Sequence, residues 1–142
     1  MQRIMVATDG SPGANRAVDS AANIAKGLSA DLLILTVGGN ISGAELRRLA
    51  DINGDVGAVL ESASEQVLER ARKRALRLGV AAIKLKCGWG DPAEAIIDAV
   101  RREKADILVI GRRGRGRLSG LLLGSVSQKL ASLAPCTVMV VP

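Results

Sequence analysis

Residues 107–141 read ILVIGRRGRGRLSGLLLGSVSQKLASLAPCTVMVV, two short aliphatic runs separated by a glycine-rich loop and a stretch of helical spacing. Ile107–Ile110 and Thr137–Val141 are short, apolar and rich in β-branched residues, and both are predicted as strands. Ser125–Leu133 between them is predicted as a helix. A strand, a crossover helix and a second strand form a parallel pair with a right-handed connection. The question is whether the rest of the chain repeats that unit.

It does. Ile4–Ala7 opens the chain as a buried strand; Ser11 is placed to cap a helix with Pro12 at its first position, where a missing N–H costs nothing. Ala14–Lys26 carries Ala14, Ala17, Val18, Ala21, Ala22 and Ala25 at helical spacing. Leu32–Val37 is the second strand, and a long helix over 57–78 follows, with Gly79 as its stop. Ile83–Cys87 is the third strand; Asp91-Pro92-Ala93-Glu94 is a capping box opening a helix to about Lys104. Residues 38–56 hold Gly38, Gly39, Gly43 and Gly54 around a short helix expected at 44–51. The prediction is one α/β domain over 1–142: a doubly wound, five-stranded parallel sheet in the order 3-2-1-4-5, with helices on both faces.

Composition narrows the function. The chain is 48% hydrophobic with neither Phe nor Tyr, and Trp89 is its single aromatic residue, so the core is aliphatic and stacking platforms for nucleic-acid bases are lacking. Histidine is absent, which excludes Ser-His and Cys-His dyads and histidine-ligated zinc. Cys87 and Cys136 are too far apart in sequence for a metal motif and are expected in the core, in a reducing compartment. No segment approaches the roughly 20 apolar residues of a membrane span, and the expected location is cytoplasmic.

In a doubly wound sheet, ligands bind beyond the carboxyl ends of the strands where strand order reverses. With the order above, that point lies between strand 1, ending at Thr8-Asp9-Gly10, and strand 4, ending at Gly111. The loop after strand 4 runs from Gly111 to Gly124, with Arg112, Arg113, Arg115 and Arg117 among its glycines and Ser125 and Ser127 at the helix that follows. Glycines admit backbone N–H groups close to a ligand, and a helix N-terminus and guanidinium groups attract anions. On spacing alone, two readings stand: a phosphate cradle, or glycines that merely shape a surface loop.

The pattern Gly111-x2-Gly114-x9-Gly124-Ser125 resembles the G-x2-G-x9-G-[ST] loop of the universal stress protein family, in its ATP-binding branch. The likeness extends to Ile4–Ser11, to Gly90–Ile97, to Leu121–Ser127 and to Ala134–Val138, and so to the whole chain. It implies that Ala7, Thr8, Asp9 and Val37 line an adenine and ribose pocket, with Ile110 and Gly111 against the nucleoside. Gly114 would bring the loop close, Arg113 would be among the arginines reaching phosphate, and Gly124, Ser125, Val126 and Ser127 would hold the phosphates of ATP. Mg²⁺ would bridge those phosphates without direct protein ligands. Strand 2 departs from the pattern, carrying Thr36 where many relatives have histidine before the valine.

Partners follow from the sheet edges. Lys84 and Lys86 guard strand 3, whereas Val138, Met139, Val140 and Val141 leave strand 5 uncharged and open to a second copy, the homodimer that the resemblance also implies. The expected function is an ATP-binding regulatory module of the stress response, with unidentified signalling partners, no catalytic residues and at most slow hydrolysis. Two alternatives are a nucleotide hydrolase or adenylyl transferase using Asp9, and an interaction protein that binds no ATP. A nucleic-acid partner is not expected.

Overall fold

The computed structural model describes residues 2–38, 56–112 and 123–142. In chain order the elements are β1 (Arg3–Ala7), α1 (Pro12–Leu28), β2 (Asp31–Gly38), α2 (Val56–Arg77), β3 (Ile83–Trp89), α3 (Pro92–Glu103), β4 (Ile107–Gly111), α4 (Ser125–Leu133) and β5 (Thr137–Val141). The strands form one sheet in the order β3-β2-β1-β4-β5, every neighbouring pair parallel, as the sequence predicts. The short helix expected at 44–51 lies outside the described residues.

Strand alternation sorts the aliphatic residues onto two faces. Ile4, Val6, Leu32, Ile34 and Val109 pack against α1 and α2, joined there by Ala17, Val18, Ala21, Ala22 and Ala25. Met5, Leu33, Leu35, Leu108 and Ile110 face α3 and α4, where Ile96, Ile97, Val100 and Leu130 complete a second core. The buried face of α1 is nearly all alanine, with Val18 its largest side chain. Small side chains let the helix axis approach the sheet closely. At Gly111, an added Cβ would lie 3.1 Å from both the carbonyl carbon and the oxygen of Gly13.

Helix ends are set locally. Ser11 Oγ accepts from Ala14 N at 3.3 Å and Asp91 Oδ2 from Glu94 N at 3.0 Å, each with a proline in the first turn. Three helices end in the same reversal: Ala30 N donates to Ala25 O, Val80 N to Ala75 O and Ala105 N to Val100 O. The left-handed residue in those turns is Ser29, Gly79 and Lys104 respectively, and only Gly79 is announced by its residue type.

β3 runs two residues past the predicted Cys87, because Gly88 and Trp89 pair with Val37 and Gly38. Trp89 lies over Gly38, where an added Cβ would meet its ring at 2.6 Å, and the indole remains 47% exposed. The core placement expected for the cysteines is corrected at Cys87, which is exposed; Cys136 is half-buried and packs against the α3-side core. Both belong to edge strands or their approach, where neighbours cover one side only. Burial pushes the Cys136 thiol up from its ordinary value.

The lysines of β3 are engaged from below. Glu103 at the end of α3 receives Lys86 Nζ at 3.1 Å, Lys84 Nζ at 3.7 Å and Arg3 Nη1 at 3.8 Å. The hydrogen bond from Lys86, with the nearby charges of Lys84 and Arg3, holds the Glu103 carboxyl below the usual carboxylate range. Its contribution to stability is therefore present above that range and lost as pH falls through the lowered value. Replacing Glu103 by Gln is expected to flatten the acid-side decline of the melting temperature, read by circular dichroism between pH 6 and pH 3. Gly111→Ala must displace backbone and is expected to cost about 1–3 kcal/mol in urea unfolding. Gly27→Ala, in open helix surface with nothing within 4 Å, is expected to stabilise by about 0.5–1 kcal/mol.

Candidate functional site

The carboxyl ends of β1, β2 and β4 come together in space. The turn after β1 is built by its own side chains. Thr8 N donates to Leu35 O of β2 at 2.9 Å, Thr8 Oγ1 accepts from Gly10 N at 3.1 Å, and Asp9 Oδ1 accepts from Ser11 N at 2.9 Å. Gly10 takes a φ of +81°, which lets the chain reverse from the strand into α1. Thr8 and Ser11 are buried and Asp9 half-buried, so the turn is fixed from within while one face of it stays accessible.

The end of β4 is held on three sides. Gly111 rests against Gly13 at the start of α1. Arg112 N donates to Val141 O of β5 at 2.7 Å, and Arg112 O accepts from Gly124 N at 2.9 Å. Ser127 Oγ donates to Gly111 O at 2.7 Å, docking the first turn of α4 on the strand. α4 begins at Gly124 with extended backbone (φ −70°, ψ 166°) and no side-chain cap, and Ser125 is exposed beside it. An uncapped first turn presents N–H groups and the positive end of the helix dipole, which suits an anion.

The expected site residues fall as follows. Ala7 ends β1, Thr8 and Asp9 form its turn, and Ile110 and Gly111 end the neighbouring β4. Val37 stands near the end of β2 and packs with the α3-side core, as does Val126. Gly124, Ser125, Val126 and Ser127 form the start of α4. Arg113 and Gly114 lie outside the described residues. Ser127 differs in role from the expectation: it is buried, and its proton goes to Gly111 O, so its hydroxyl positions α4. Sequence reasoning missed Gly13, whose backbone closes on Gly111, and gave Arg112 no place apart from its neighbours. The Gly10-Ser11-Pro12-Gly13 run carried the first signal, since a glycine in the opening turn of a helix marks close approach. Among the described residues no three of His, Cys, Asp or Glu gather where they could hold a metal ion. No described helix is long and apolar enough to cross a membrane.

The sequence and the fold have relatives among known proteins. The sequence profile of the universal stress protein family matches residues 1–142. A universal stress protein of Thermus aquaticus, encoded in a sulfhydrylase 3′ region, is 37% identical over 142 residues, covering 97% of this chain and 96% of its own. The crystal structure of a universal stress protein in complex with cAMP is 34% identical, with a TM-score of 0.76 over 99% of this chain and 97% of the other. The solved structure of the protein called MJ0577 shares the fold at a TM-score of 0.82 and 24% identity, over 99% of this chain and 94% of that one. With a profile match over residues 1–142 and a relative 37% identical along nearly its whole length, the chain belongs to the universal stress protein family.

Proposed function

We propose that this chain is a nucleotide-binding regulatory module of the stress response, taking ATP with Mg²⁺ and working as a cytoplasmic homodimer. The observation that carries the reading is the meeting of the β1 turn, the end of β4 and the uncapped start of α4 at one edge of the sheet. The relative solved with cAMP supports an adenine nucleotide as the ligand class. In this reading Ala7, Thr8, Asp9 and Val37 border the adenine and ribose. Ile110 and Gly111 form the floor of the pocket, and Ser125 and Val126 receive phosphate oxygens on backbone N–H groups, with Gly124 leaving the approach to them open.

The residues fit such a ligand. The α4 opening offers donors with no side-chain cap, and Gly111 and Gly124 carry no side chain into the cleft. Mg²⁺, when present, would neutralise phosphate charge from the phosphate side, because no carboxylate cluster gathers among the described residues. Catalysis is not part of the proposal. The Asp9 carboxylate already organises the turn through Ser11 N, a structural task.

The dimer rests on β5. It is the terminal strand of the sheet, its Met139 and Thr137 are exposed, and no charge guards it. In sedimentation at tens of micromolar, the wild type is expected to run as a dimer and Met139→Lys as a monomer. A monomeric wild type would remove that part of the proposal.

The nucleotide itself is tested by calorimetric titration of MgATP into wild type and Gly124→Val. Binding is expected in the first and loss of at least about tenfold in the second, since the branched side chain stands over the α4 amides. Wild-type protein, freed of carried-over nucleotide, that takes up no ATP, ADP, AMP or cAMP would overturn the nucleotide reading. Phosphate release is expected at background in both wild type and Asp9→Asn.

A further inference from the structure

The arginines after β4 are not equivalent, and Arg112 is fixed in a way that gives it a task. Its N–H is bonded to Val141 O and its carbonyl to Gly124 N, so its backbone is pinned between β5 and α4. Along β4, Leu108 and Ile110 face the α3 and α4 layer, while Val109 and Gly111 face α1. Continuing that alternation places Arg112 on the side where α4 begins. Its Nε is wholly buried and makes no hydrogen bond. A buried guanidinium N–H without an acceptor is costly, and here it sits in a residue that is otherwise only half-buried, on a backbone fixed beside the start of α4.

We propose that Arg112 is the phosphate-reading residue of the site, its Nε–H and the adjacent Nη–H forming a side-on fork for two oxygens of one phosphate group. The inference rests on the nucleotide reading above and deepens it. Two coplanar donors match two oxygens on one centre, and the uncapped amides of α4 approach the same anion from Ser125 onward. Arg112 then makes affinity depend on the phosphate, while the nucleoside is held by the strand ends.

The test is calorimetry on the full chain with three probes, adenosine, AMP and MgATP, for wild type, Arg112→Gln and Arg112→Lys. The expected result is a loss of about tenfold to a hundredfold for AMP and MgATP in Arg112→Gln, with adenosine affinity unchanged. Arg112→Lys, which keeps the charge without the fork, is expected to recover only part of the loss. Because the free protein buries an unsatisfied donor, Arg112→Gln is also expected to melt no lower than wild type without ligand. Equal weakening for all three probes would assign Arg112 a structural role and overturn the proposal, as would undiminished AMP and MgATP binding. Wild type that binds none of the probes would instead defeat the nucleotide reading itself. If Arg112→Gln fails to fold, the phosphate-selective loss in Arg112→Lys decides the question in the same way.

Discussion

The structure depends on one steric constraint, the close approach of α1 to the end of β4. Gly111 can lie against the backbone of Gly13 because it carries no side chain, and the helix above it is faced with alanine. A larger residue on that face would lift α1 from the sheet and separate the β1 turn from the β4 end. The aliphatic core on the other face places no such demand, since Ile96, Ile97, Val100 and Leu130 fill it with larger side chains. The two sides of the sheet thus have different jobs. One is packed for volume, the other for proximity, and the meeting of the β1 turn with the β4 end is a product of the second.

From that approach the polar architecture follows. Thr8 and Asp9 use their side chains on the amides of Gly10 and Ser11, and Ser11 uses its own on Ala14 N. Ser127 reaches back to Gly111 O. Most of the polar side chains at the strand ends are therefore occupied in holding backbone, and the groups left to face a ligand are main-chain amides at α4.

Much of this was legible in the sequence. Ser11 with Pro12, and Asp91 with Pro92, announced two helix starts because side-chain capping is local chemistry. The β1-to-β4 convergence was legible because parallel topology restricts the sheet order that crossovers allow. What escaped depended on non-local packing. The third strand was expected to end at Cys87, yet Gly88 and Trp89 continue the ladder because β2 offers them partners. Cys87 read as core because cysteine is commonly buried, and its edge position reverses that. The left-handed turns at Ser29 and Lys104 carried no glycine, so helix C-termini there had no local signal. Ser127 was recognisable as a hydroxyl at a helix start, but its direction is set by the carbonyl of Gly111 beneath it.

Trp89 has a consequence of a different kind. It is the single aromatic residue in the chain, so near-ultraviolet absorption and emission arise almost wholly from one indole. That ring is half in water and half against Gly38, the last residue of β2 before the chain leaves the sheet toward α2. Any displacement of that exit changes the polarity the indole senses, and the emission wavelength moves with it. The protein thus carries its own spectroscopic gauge at the end of β2, with no second aromatic side chain to confuse the signal.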